Sequence, residues 1–332
     1  MSSPLFPEVL ADRQDWLVVG ESHRMYYQIS GNPKGIPVVW LHGGPGSSST
    51  AFHRRFLNPS KFWIIQFDQR GCGKSEPSGG IVANQTQDLI DDIERLREHL
   101  GLARWHVVGG SWGGALALIY AQVHPNVVSR VLLRSPFLCT QSEIDSYMEH
   151  PPEACRERWQ TFKNQLPIAV NESMLDCCHR VFCEEQDRVT QARIARAWVT
   201  YESAMNMFPK APSQSAQPTQ PNSNNYTGDD ALIARYRVHC HYLQHRCFID
   251  GEVLTQPQVL QSLDLTIVHG EEDALCPIQN SVTIKQIAPQ TRLIRVAGAG
   301  HDLSDKGMSA ATFVEIERWA AAGDPLPCET AQ

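Results

Sequence analysis

Hydrophobic and polar positions along this chain follow two different periods, and the switches between them mark its elements. Short β-rich runs at Trp16–Val19, Met25–Ile29, Pro37–Leu41, Phe62–Phe67, Trp105–Val108 and Val131–Leu133 are separated by turn residues or by helical patterns. The first two runs predict an antiparallel hairpin, and the later ones predict strands of a mostly parallel sheet. Between them, Thr86 reads as a helix cap. Leu89, Ile93, Leu96 and Leu100 then recur at three- and four-residue spacing until Gly101 ends the helix. Two more strand-like runs, Leu265–Val268 and Leu293–Val296, come late, and an amphipathic stretch around Ala311–Trp319 follows them. This succession predicts a doubly wound α/β domain.

From about Ser135 to Arg246 the β-branched runs vanish. Trp159, Phe162, Met174, Leu175, Val181, Phe182, Ile194, Trp198 and Tyr201 fit helices instead. The expected organisation is a core domain in two parts, 1–134 and 247–332, with a helical domain, 135–246, inserted between them. Within the insertion, Phe208–Asp230 is rich in Pro, Ser, Gln and Asn and reads as a long solvated loop.

Composition narrows the partners. The formal net charge is -7, and the lysines and arginines are scattered rather than gathered in a run, so neither a nucleic acid nor an anionic membrane is an expected partner. The first residues, MSSPLFPEVLADRQDW, lack the basic start and apolar stretch of a signal peptide, and no segment is long and apolar enough to span a bilayer. The expected location is therefore the cytoplasm, where ten cysteines are reduced thiols by default. The cluster Cys177, Cys178, His179 and Cys183, with His239, Cys240 and His241 further on, matches no standard zinc-ligand spacing, so no metal and no cofactor is expected.

The strongest chemical signal is Gly109-Gly110-Ser111-Trp112-Gly113-Gly114, which follows the strand Trp105–Val108 and precedes the helical run Ala115–Val123. A serine on so sharp a strand-to-helix turn is forced out of the sheet edge, and Gly109 and Gly113 avoid collisions with neighbouring backbone. The helix N-terminus beneath it favours the negative charge that develops on attack. A serine nucleophile needs a base and an orienting acid. His301, in Gly298-Ala299-Gly300-His301-Asp302 after the last strand-like run, is the preferred base, with His269 as its rival. Asp273, after the strand Leu265–Val268, is the preferred acid over Glu271, Glu272 and Asp302. The loop His42-Gly43-Gly44-Pro45-Gly46 supplies an oxyanion hole, with the amides of Gly44 and Trp112 as donors.

Together these segments resemble the prolyl aminopeptidase (proline iminopeptidase) family of α/β-hydrolases. Three motifs carry the resemblance: His42 to Gly46, Asp68-Gln69-Arg70-Gly71-Cys72-Gly73-Lys74-Ser75, and Gly109 to Gly114. Matches at Asp273 with Cys276-Pro277 and at Gly298 to His301 extend it across the core. The resemblance implies an α/β-hydrolase fold with a helical cap, and a serine exopeptidase that releases an N-terminal residue, preferentially proline, from a small peptide or amide substrate. It also assigns Glu202, in Trp198-Val199-Thr200-Tyr201-Glu202, to the substrate's free amino terminus. The family's second cap glutamate, two residues before a His-Tyr pair, is replaced here by His239, which lowers the negative charge expected in that pocket. Two other readings compete: an esterase or amidase of small uncharged acyl substrates using the same triad, and a noncatalytic ligand receptor.

Overall fold

The computed structural model describes residues 5–210, 228–249 and 253–323. Eight strands form one sheet: β1 Arg13–Val19, β2 His23–Gly31, β3 Ile36–Leu41, β4 Phe62–Phe67, β5 Trp105–Gly110, β6 Val128–Arg134, β7 Leu265–Gly270 and β8 Arg292–Val296. Their order across the sheet is β1-β2-β4-β3-β5-β6-β7-β8. β1 and β2 form the expected antiparallel hairpin, β2 meets β4 antiparallel, and every other pair is parallel.

The strand sequences explain this burial. Along β3, Val38 and Trp40 face a cluster under the C-terminal helix Lys306–Ala322, while Val39 and Leu41 face the cluster that includes Leu89, Ile93 and Leu96. A strand covered on both faces needs an unbroken apolar run, and Ile36–Leu41 is one. The helix Thr86–His99 begins at the expected cap itself, and the capping residue lies one position earlier: it is Gln85, whose amide donates to Asp88 at 2.9 Å. The Thr86 hydroxyl instead donates to the Cys247 carbonyl, tying this helix to the segment that returns from the insertion.

After β6 the chain forms the helices Gln141–Glu149, Arg156–Lys163, Met174–His179, Arg188–Met207 and Asp229–Gln244. Trp198 is fully buried among them, stacked on Tyr236 at 4.5 Å and on Phe162 at 4.9 Å between ring centroids. Most of the segment read as a long loop, residues 211–227, lies outside the described residues. Among the described residues no helix is long and apolar enough to cross a membrane.

β3 and β5 are neighbours, yet the chain leaves β3 toward β4 on one side and continues from β5 toward β6 on the other. Such a switch point opens a crevice at the carboxyl ends of the strands, where ligands bind in doubly wound sheets. The loop after β3 and the turn after β5 are the two glycine-rich motifs.

Candidate active site

Ser111 joins β5 to the helix Trp112–Val123 with φ 55° and ψ −125°, a left-handed conformation that a non-glycine residue adopts only when its surroundings enforce it. Its amide donates to the Arg134 carbonyl at 2.9 Å, which fixes the turn against β6. A Cβ at Gly109 would strike the Gly113 carbonyl, and one at Gly113 would strike the Leu41 carbonyl, so both glycines are required by close backbone approach.

His301 Nδ1 donates to Asp273 Oδ2 at 2.7 Å. The other carboxylate oxygen accepts from the amides of Leu275 and Cys276, each at 2.9 Å. Burial pushes the Asp273 carboxyl up, but His301, then His269 and the Cys276 amide, outweigh it and hold the group below its usual value. An ionised Asp273 accepts only, so Nδ1 of His301 carries a proton, and in the neutral tautomer this leaves the lone pair on Nε2. The rival His269 is committed elsewhere: Nδ1 lies 2.6 Å from Ser281 Oγ and Nε2 lies 2.8 Å from the Cys276 carbonyl. Its burial is complete and depresses its protonation.

Ser111 and His301 line one cavity of about 610 Å³, together with Gly43, Gly44, Glu202 and His239. Asp273 stands behind His301. Trp112 turns its indole away from the cavity, donating to Gln69 Oε1 at 2.9 Å. As the first residue of its helix, Trp112 has an amide that no intrahelical carbonyl can satisfy. The motif beginning at Asp68 is the scaffold behind this loop. The Gln69 amide donates to His42 Nε2 at 3.0 Å, Asp68 accepts from the Ser49 and Lys74 amides, and Arg70 forms a two-pronged pair with buried Asp92 at 2.7 Å. Cys72 is buried in that scaffold, whereas Cys276 is on the cavity wall with its Sγ 3.9 Å from Ser111 Oγ.

The side of the cavity lined from the helices Arg188–Met207 and Asp229–Gln244 holds a feature that the sequence reading missed. Glu202 is ion-paired with Arg235 at 2.6 Å and accepts from the Tyr236 hydroxyl at 2.9 Å. Burial pushes the Glu202 carboxyl up, but the Arg235 guanidinium and the Tyr236 hydroxyl help to hold it below its usual value. His239 Nδ1 meets the Pro45 carbonyl at 2.8 Å, and because a carbonyl only accepts, Nδ1 carries the hydrogen. Burial lowers the pKa of this imidazole, so it is neutral, with the Nε2 lone pair buried and without a partner among the described residues. Arg235 precedes His239 by one helical turn, a spacing that places two side chains on one face and that could have flagged it. Among the described residues, no group of three or more His, Cys, Asp and Glu side chains is arranged to hold a metal ion.

Residues 36–307 match the alpha/beta hydrolase fold family model. Over 324 residues the chain is 34% identical to a probable proline iminopeptidase of Leptolyngbya boryana, covering 96% of this chain and 97% of that protein. It is 36% identical to the proline iminopeptidases of Xylella fastidiosa and Arabidopsis thaliana, over 90% and 92% of this chain and 93% and 79% of theirs. A thermophilic esterase from Thermogutta terrifontis shares the fold, with a TM-score of 0.61 at 18% identity over 93% of this chain and 98% of its own. The chain is thus a serine hydrolase that belongs to the proline iminopeptidase family of the α/β-hydrolase fold.

Proposed function

We propose that this protein releases the N-terminal residue, preferentially proline, from small peptides through an acyl-enzyme on Ser111. In this reading the insertion 135–246 is the cap. His301 Nε2 takes the Ser111 hydroxyl proton as Oγ attacks the scissile carbonyl, and Asp273 stabilises the imidazolium that forms. The amides of Gly44 and Trp112 receive the oxyanion. The imidazolium then gives its proton to the leaving amine, and a water activated by the same base releases the acyl group and restores Ser111.

The observation that carries this reading is that Ser111, His301 and the cap carboxylate of Glu202 share one cavity wall, in a chain whose relatives bear this activity by name. The test compares Pro-, Ala- and N-blocked Pro-arylamides. Turnover of the free prolyl substrate above the other two supports the proposal, and a preference for the blocked one would sink it. The ion pair between Glu202 and Arg235 favours a second reading, hydrolysis of small neutral esters or amides by the same serine, because the carboxylate already has a cation.

A further inference from the structure

The cavity wall is nearly balanced in charge. Its described lining includes three carboxylates, Glu143, Glu202 and Asp302, and three guanidiniums, Arg55, Arg134 and Arg235. Two of the carboxylates are spent on local structure. Glu143 accepts from the Leu138 and Thr140 amides and from Asn280 Nδ2, and Asp302 accepts from the Ser304 amide and hydroxyl. Glu202 is the carboxylate left to meet an ammonium, and Arg235, whose side chain is only 8% exposed, already lies 2.6 Å from it. The neighbouring His239 offers a lone pair at Nε2 without a charge. A substrate ammonium entering here must share Glu202 with a tethered cation, and loses water without meeting a net negative charge.

We propose that Arg235 is a specificity-determining residue that acts through Glu202: it stands in for the substrate's ammonium, so acyl groups without a free amino terminus are accepted nearly as well as those with one. The inference rests on the reading that Glu202 faces the substrate's amino terminus. Arg235 is a positioning residue, and its effect is on the choice between substrates rather than on the bond-breaking step.

The test uses the full chain and two arylamides of the same ring size, prolyl and cyclopentanecarbonyl, which differ by an ammonium nitrogen against a methylene. The ratio of their kcat/KM values, measured on one preparation, is insensitive to how much of the protein is folded. In the wild type the prolyl preference is expected to stay below about tenfold, the low end for a charge-assisted contact. Arg235→Gln should raise that ratio, Arg235→Lys should restore it, and adding Glu202→Gln to Arg235→Gln should cancel the rise. A wild-type prolyl preference well above tenfold overturns the inference. An unchanged ratio in Arg235→Gln, while Glu202→Gln alone still lowers prolyl turnover, also overturns it and leaves the reading of Glu202 standing. If Glu202→Gln changes nothing in either background, that reading fails and takes the inference with it.

Discussion

The sheet edge and the cap pocket face each other across one cavity, but they are organised in opposite ways. At the sheet edge each charged group is paired so as to sharpen its neighbour: Asp273 is held ionised by amides and by His301, and it orients the imidazole in return. Across the cavity, on the proposed function, the pairing blunts instead, since Arg235 occupies the carboxylate that an ammonium would use. The edge groups sit on short loops directly after β5, β7 and β8, whereas Glu202 and Arg235 come from two helices, Arg188–Met207 and Asp229–Gln244. On the proposed function, reaction type and substrate choice are built at separate levels of the structure, and each can be attacked without the other.

The largest expected effect lies at the edge. Ser111→Ala should cost at least ~10³-fold in kcat on every substrate while leaving the thermal unfolding curve in place. His301→Ala should be comparably damaging and His269→Ala much less so, since both His269 nitrogens are committed to Ser281 and the Cys276 carbonyl. Retention of a tenth of the rate by Ser111→Ala on any good substrate would break the assignment. A reversed order for the two histidines would show that the wrong base had been chosen.

A second substitution strikes the cap. Trp198 is fully buried, stacks on Tyr236 and Phe162, and donates to the Tyr147 hydroxyl at 2.7 Å. Trp198→Ala should destabilise the protein by about 3–5 kcal/mol, read as a fall in the urea midpoint. Near that lowered midpoint, prolyl turnover should fail before hydrolysis of p-nitrophenyl acetate does, because the stack positions Tyr236 on Glu202. Simultaneous loss of both activities would show the two regions to be one cooperative unit.

Glu202→Gln should have a smaller effect. Prolyl-arylamide kcat/KM is expected to fall by no more than about tenfold, since Arg235 already shares the carboxylate and only part of a charge-assisted contact is lost. p-Nitrophenyl acetate has no ammonium to place and should be hydrolysed nearly as before. Equal losses on both substrates would mark Glu202 as a structural glutamate.

The smallest change in turnover is expected from Cys276→Ala. The thiol lies beside Ser111, and burial pushes its pKa well up, which disfavours the thiolate that a nucleophile would need. A bulky mercurial should block the wild type by obstruction and spare the variant. Cys72→Ala should leave that sensitivity intact, because Cys72 is buried in the scaffold behind the loop that follows β3. An inactive but folded Cys276→Ala would reveal a chemical role at the sheet edge.

The sequence by itself determined the frame and made the candidate groups of the edge legible. All eight strand-like runs correspond to strands, because a strand's burial is written locally in its apolar run. The glycines around Ser111 are legible for the same reason, since sharp turns and close backbone approach demand glycine wherever they occur. The cap of the helix Thr86–His99 was misplaced by one residue, because the Thr86 hydroxyl is used by a carbonyl 161 residues away. Only the tertiary structure decided the character of the cap pocket. A solvated glutamate, an ammonium ligand and one half of an ion pair look alike on a helix, and what separates Glu202 into the last of these is the docking of Arg235 from another helix. In a partly desolvated pocket the nearest opposite charge sets a carboxylate's behaviour, and that distance is a property of packing rather than of sequence order.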